Sequence, residues 1–419
     1  MTLKNYKVFL FLVAILLPMG MYAQVETVKD SVQNHLVIPD RDLKEDILKT
    51  ASEKFTSNDF PGSWPMFGTD LRMKIGGYLK VDALYDFDGT TDKSQFLMST
   101  IPVEGEPDYG NEGYLYFIAR ETRINVDIRR FAEDKIPLQL FIEGDFWSDG
   151  NQFRLRHAYV TAGDFIIGQT WTTLSFLQSM AFMIDFAAGD ALAGGRSVQI
   201  RYQKQVSDKI MIAAGLEYQG FLGIENPNDF EGQANLQLPL LALRMDYKWK
   251  TGILWTGASF AQLRWDGGST GPSDQTLQWE VIVAGRQYIG KNNYVCFNFN
   301  YGDAYGENII AFAGSQANAV LNTEGKLDPI LAKSALVGFM HRWAPGLESN
   351  FNYAYGWLDA PNSRAPYALK RGGVGHVNLV YHFDKNFSIG AEYMWGAQRT
   401  ANDALGRAGR LQTMAKFAF

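Results

Sequence analysis

The chain has 419 residues, with 39 Lys and Arg, 45 Asp and Glu and a formal net charge of −6. That balance argues against a nucleic-acid partner. The single Cys rules out a disulfide framework, and five scattered His give no ligand spacing, so no metal or cofactor is expected. Beyond the N-terminus no apolar run reaches the ~18 residues of a membrane helix.

Residues 1–23 read as a secretory signal peptide. Lys4 and Lys7 precede the apolar run Val8 to Met21, and Ala23 supplies a small residue at the cleavage position. From 24 to 70 the segment is read as periplasmic. Asp42 and Glu45 have capping-box spacing. Leu43, Ile47, Ala51 and Phe55 recur every fourth residue, which predicts one short helix. Phe60-Pro-Gly-Ser-Trp-Pro ends any helical run.

From residue 71 the period becomes two. Ile75, Leu79, Val81 and Tyr85 alternate with Lys74, Lys80, Asp82 and Asp86, which predicts a strand with one apolar and one charged face. Sixteen such segments follow the chain, near 71–86, 114–129, 138–149, 153–162, 165–174, 196–206, 209–219, 236–249, 253–265, 277–290, 294–301, 333–343, 347–357, 374–383, 387–397 and 409–419. Arg120 falls on the apolar side of its segment unless a bulge intervenes or another subunit covers it. His157 falls on the outward side. Gly285 to Asn292 approaches a phosphate-loop pattern but runs into a strand, so it is a hairpin turn.

The connections alternate between tight links, such as Ser207-Asp208 and Ala344-Pro345-Gly346, and long loops near 87–113, 175–195, 220–235, 266–276, 302–332, 358–373 and 398–408. Short turns at one end and long loops at the other are the pattern of an outer-membrane barrel. The expected fold is therefore all-β: a transmembrane antiparallel β-barrel of about sixteen strands over 71–419, in contact with outer-membrane lipid, behind a short N-terminal periplasmic helix. The last strand ends on Phe419, which resembles the carboxy-terminal signal read by the barrel assembly machinery of the bacterial outer membrane.

Three stretches are similar to the DcaP-like family of trimeric porins. The first runs from Phe60 to Asp86, the second is Ala119-Arg-Glu-Thr-Arg-Ile124, and the third is Arg154-Leu-Arg-His-Ala-Tyr159 followed by Gly168-Gln-Thr-Trp171. The last two also resemble phosphate-selective porins. The resemblance covers about 60–419. It implies a sixteen-stranded homotrimeric channel that prefers anions and, in some members, serves dicarboxylate uptake. Those members carry a longer, heptad-like N-terminal helix, from which this chain departs.

A sixteen-stranded barrel is wide enough for a water-filled lumen. The expected constriction is the loop at 175–195, whose Phe176, Leu177, Met180, Phe182, Met183 and Phe186 have little use in open water. Inward basic residues, Lys80, Arg123, Arg156 and Arg201, with Arg244 and Arg286 further round, are expected to face Asp185 and Asp190 of that loop. Glu143, Asp145 and Glu280 are the inward acids of the wall. Opposed charges across a narrow aqueous gap would favour small anionic solutes. The expected function is a passive porin, not an enzyme; the alternatives are an outer-membrane barrel enzyme of lipase type and a structural or adhesion barrel.

Overall fold

The computed structural model describes residues 60–66, 69–131, 135–187, 189–220 and 222–419. The expected signal peptide and short helix lie outside the described residues. Sixteen strands form one antiparallel sheet that closes on itself. They are β1 (Leu71–Asp88), β2 (Tyr114–Ile118 continued by Arg123–Arg130), β3 (Leu138–Asp145), β4 (Arg154–Ala162), β5 (Phe165–Trp171), β6 (Arg196–Ser207), β7 (Ile210–Glu217) and β8 (Leu240–Trp249). The second half is β9 (Gly252–Asp266), β10 (Asp274–Ile289), β11 (Asn293–Asp303), β12 (Leu331–Ala344), β13 (Leu347–Asp359), β14 (Leu369–His382), β15 (Phe387–Thr400) and β16 (Leu405–Ala418). Each strand pairs with the next, and β16 returns to β1 from Tyr78↔Ala418 to Asp88↔Gly409.

Alternation decides which face is which. On β1, Ile75, Leu79 and Val81 are 46%, 52% and 41% exposed, whereas Lys80, Asp82 and Asp86 are 3%, 1% and 0% exposed. Apolar residues face out and charged residues face in, the reverse of a water-soluble protein. Val198, Ile200, Val283, Phe299, Val337 and Leu379 carry the same exposed apolar face around the wall.

Two irregularities change the expected parity. Between Ile118 and Arg123 the strand is interrupted. Leu115 and Phe117 point out before the break, and Ile124 points out after it. The extra residue lets Arg120 avoid the apolar side: its guanidinium donates to Ser94 Oγ at 2.9 Å and to Ser148 O at 2.7 Å. No second subunit is needed to satisfy it. On β4 the register shifts, because Glu143 opposes His157 while Gly144 opposes Leu155. A bulge of this kind re-aims side chains. Arg156 and His157 are both buried, and His157 Nδ1 lies 3.0 Å from Thr170 Oγ1, itself buried. His157 thus belongs to the lumen side, which corrects its expected outward position.

Turns 163–164, 208–209, 250–251, 345–346 and 383–386 close one end, and the loops 89–113, 172–195, 218–239 and 304–330 crowd the other. The expected loop at 398–408 shrinks to 401–404, since β15 and β16 extend into it. At the long-loop end a small sheet joins Ile224–Glu225 to Ala319–Leu321 and Leu327–Pro329 and packs on Leu263 and Trp265 of β9. Arg364 Nε ties it to the loop after β13 through Glu225 Oε2 at 3.2 Å.

The β1–β16 seam is locked from inside. Arg410, fully buried, pairs with Asp86 on both carboxylate oxygens and also donates to Thr90 Oγ1 at 2.9 Å and Asp92 O at 3.0 Å. Removing one member of a buried ion pair costs about 3–5 kcal/mol, because the other charge is stranded. Arg410→Met is expected to lower, by several degrees, the temperature at which the barrel unfolds on gel mobility. Arg410→Met with Asp86→Leu is expected to recover part of the loss.

Candidate functional site: the lumen

The lumen is organised by the β5–β6 loop, residues 172–195. Its buried residues include Leu174, Phe176, Ala181, Met183, Ile184 and Leu192. The loop satisfies a few of its own backbone groups, as Ser179 N does with Phe176 O at 2.8 Å, and the wall serves many of the others. Arg244 Nη1 donates to Thr173 O at 3.2 Å, and Arg286 Nη2 donates to Met180 O at 2.9 Å. Asn352 exchanges two bonds with Ala181, both at 3.0 Å. Asn378 Nδ2 donates to Phe182 O at 2.9 Å, and Glu392 Oε2 accepts from Ile184 N at 2.7 Å. Asn300 Nδ2 and Ser334 Oγ both donate to Ala191 O, at 2.6 and 2.9 Å. Lys80 Nζ reaches Ile184 O at 2.6 Å. Strands β8, β10 to β15 and β1 therefore all hold this one loop.

Other loops close over it. Phe96, Met98 and Ile101 of the β1–β2 loop pack in one apolar cluster with Leu174 and Phe176, and with Tyr305, Ile309 and Phe312 of the β11–β12 loop. Asp185 and Asp190 serve this packing. The Asp185 carboxylate accepts from Phe96 N at 3.2 Å and Ala187 N at 3.0 Å; Asp190 Oδ1 accepts from Met98 N at 3.0 Å. Both are buried. They tie two loops together, and neither lies within ion-pair distance of Arg123, Arg156 or Arg201.

The wall from β1 through β8 carries the expected basic residues in a chain of alternating sign. Lys80 pairs with Glu121, and with Asp82 at 3.3 Å. Arg123 Nη2 and Nη1 lie 3.5 Å from Glu121 and 3.9 Å from Glu143. Arg156 binds Glu143 at 3.1 Å and Asp145 at 2.7 Å, and Arg154 binds Asp145 at 2.8 Å. Arg244 closes on Asp246 at 2.7 Å. Arg201 differs. It is half-buried, its Nη1 reaches only Trp171 O at 3.4 Å, and among the described residues no carboxylate lies within ion-pair distance of it. The same holds of Arg196, whose guanidinium sits 4.9 Å over the Trp171 ring.

The loop touches this wall through Phe186. Its ring stacks on Trp147 with centroids 3.8 Å apart and planes 14° apart. The guanidinium groups of Arg154 and Arg156 each lie 5.6 Å from it. Sequence reading missed Glu121, Arg154, Arg196 and Trp147 as lumen groups. Arg154 and Arg156 share a parity that the β4 bulge then alters, and Glu121 lies in the β2 interruption, where period two gives no direction. Below, Phe60 packs on Phe131 with centroids 5.9 Å apart, and Arg129 lies 4.2 Å from the Phe60 ring. The entry segment is therefore attached at the periplasmic end of this wall.

An apolar exterior, a charged interior and a long loop folded among the strands define an outer-membrane β-barrel of porin architecture. The chain belongs to the DcaP outer membrane protein family, which matches residues 33–419, and its place is the bacterial outer membrane. The solved outer membrane channel DcaP of Acinetobacter baumannii is 19% identical, superposes with a TM-score of 0.73, and is covered over 100% of its length by 85% of this chain. The anion-selective porin from Comamonas acidovorans is 11% identical with a TM-score of 0.55, over 83% of this chain and 100% of that one. A trimer form of OmpT from Vibrio cholerae is 15% identical with a TM-score of 0.53, over 83% of this chain and 99% of that one. No curated protein matches the chain.

Outside the strands, burial pushes the Asp185 and Asp190 carboxyls up to about 6. A carboxyl raised from 3.8 favours the docked loops most when protonated, so that contribution is present below pH ~4 and is lost as pH rises through about 6. Proteolysis within 172–195 is expected to be slower at pH 5 than at pH 7.5. Asn352→Ala with Glu392→Ala is expected to speed it severalfold at either pH, because two wall anchors are lost.

Proposed function

We propose that the barrel is a channel for passive diffusion of small hydrophilic solutes, that it prefers small anions such as dicarboxylates, and that the β5–β6 loop narrows it. One observation carries the anion preference. The ions of β1 to β4 neutralise one another in an alternating network, while Arg201 and Arg196 have no carboxylate within ion-pair distance among the described residues. A field in the gap then comes from those two together with Arg286 and Lys416, which likewise have no carboxylate within ion-pair distance among the described residues, and low-dielectric walls focus it. Arg123, Arg156, Lys80 and Glu143 act by holding the wall in register. The Comamonas acidovorans porin, anion-selective by description, supports the reading.

Arg201→Gln with Arg196→Gln is expected to move the reversal potential in a salt gradient towards cations. The shift should shrink as salt rises, since the screening length falls from ~10 Å at 0.1 M to ~3 Å at 1 M. The charge-conserving pair Arg123→Gln with Glu121→Gln is expected to leave it near the parent value. Equal reversal potentials for the parent and the Arg201/Arg196 variant at low salt would remove the anion preference.

The same proposal includes a homotrimer. Strands β3, β4 and β5 have 8, 9 and 7 residues, against 14 in each of β14, β15 and β16. A lipid-exposed strand needs ~9–11 residues to cross the bilayer. The low wall, with Ile142, Leu155, Val160 and Ile167 exposed on it, suits cover by neighbouring copies. The trimer form of OmpT from Vibrio cholerae is in keeping with this. Native mass spectrometry is expected to show three copies for the parent and single chains for Ile142→Arg. Phe419 is assigned as the signal read during assembly.

A further inference from the structure

On the outer face of β13 to β16 the lipid-facing positions form rows across the strands. One row is Tyr355, Gly373, Ala397 and Arg407; the next, one step nearer the long loops, is Trp357, Arg371 and Arg399. Aromatic rings mark the level. Tyr355 and Trp357 have centroids 4.4 Å apart. Trp395, a step below, lies so flat that a Cβ on Gly375 would meet its ring at 2.2 Å. Such a belt sits at the boundary between hydrocarbon and headgroups. Arg371, Arg399 and Arg407 therefore stand at headgroup level of the extracellular leaflet, on the side that faces lipid and away from the lumen.

Arg371 is directly opposite Arg399, and like charges directly opposite on a sheet destabilise it. The chain does not relieve this. Arg399 Nη1 donates to a backbone carbonyl, Asp403 O, at 2.9 Å. The Asp403 carboxylate is 3.7 Å from Lys370, and Asp359 is taken by Lys333. Among the described residues no carboxylate lies within ion-pair distance of the three arginines. Arg371 and Arg407 are exposed.

We infer that Arg371, Arg399 and Arg407 form a binding site for the phosphate of an anionic glycolipid in the outer leaflet. The guanidinium fork matches phosphate oxygens two at a time. A single phosphate between Arg371 and Arg399 converts a repulsion into two charge-assisted contacts. The lipid, and not free phosphate, is the occupant because the arginines lie on the lipid-facing parity, level with Tyr355 and Trp357 and above Trp395, where acyl chains pack. An arginine on that face costs ~2–4 kcal/mol at mid-membrane and ~0–1 near the interface, so the rim is where it is tolerated.

The test uses the intact oligomer in nonionic detergent, with phosphorylated lipid A, the same glycolipid stripped of phosphate, and inorganic phosphate as probes. By native mass spectrometry the parent is expected to prefer the phosphorylated lipid at least about tenfold. The variant Arg371→Gln, Arg399→Gln, Arg407→Gln should bind both lipids alike. Its unheated gel mobility and conductance should match the parent, which shows that it is folded. If the triple variant fails to fold, Arg371→Gln and Arg407→Gln separately should each lose the preference severalfold. Equal binding of both lipids by the parent, or a preference that survives the substitutions, overturns the site. Displacement of the lipid by millimolar inorganic phosphate overturns the lipid assignment. Loss of the oligomer with the lipid preference intact would make the patch a subunit contact and equally overturn it.

Discussion

The constraint on which the structure depends is that a backbone in hydrocarbon must pair all its own polar groups. A sheet can do so only by leaving no edge. Sixteen strands meet that demand here, and the last pairing of the circle, β16 to β1, runs from Tyr78↔Ala418 to Asp88↔Gly409 with one irregularity between Asp86 and Asp88. Closure then dictates the chemistry of both faces. Outside, every second residue has lipid as its solvent; inside, every second residue has water, a loop or another charge. The average composition looks only mildly polar because two opposite populations cancel.

Closure also creates the interior problem that the long loops solve. A barrel of this size has no side-chain core of its own, and its amides and carboxylates project into the lumen. Asn300, Asn352, Asn378 and Glu392 spend that polarity on the backbone of the β5–β6 loop. The apolar groups of the loop are then free to pack on Phe96, Met98 and Phe312. A hydrophobic cluster thus forms inside a polar tube, and polar wall residues position it. Buried polar groups are tolerable because they are bonded; unbonded, each would cost about 1–3 kcal/mol.

The charges divide by the same logic. Where strands run side by side, opposite charges alternate from Lys80 through Glu121, Arg123, Glu143 and Arg156 to Asp145, and each is held by its neighbours. Such a network fixes geometry more than it contributes stability. Among the described residues, Arg196, Arg201, Arg286 and Lys416 inside and the arginines of the outer rim have no carboxylate within ion-pair distance. Counting basic residues along the wall would overstate the first group and miss the second.

The sequence by itself determined the barrel. A strict period of two, sixteen times over, with turns and loops in alternation, leaves few other ways to hide the backbone, and every strand lies within a few residues of its expected place. The inward positions of Lys80, Arg123 and Arg201 follow from the same parity. Tertiary structure decided the rest. The interruption in β2 and the bulge in β4 each insert one residue, and a single inserted residue turns the following side chains to the other face. That moved Arg120 and His157. The fate of Asp185 and Asp190 lay further out of reach. Their partners are backbone N–H groups of a loop some ninety residues earlier, and no period or spacing in one chain segment records which loop will close over another.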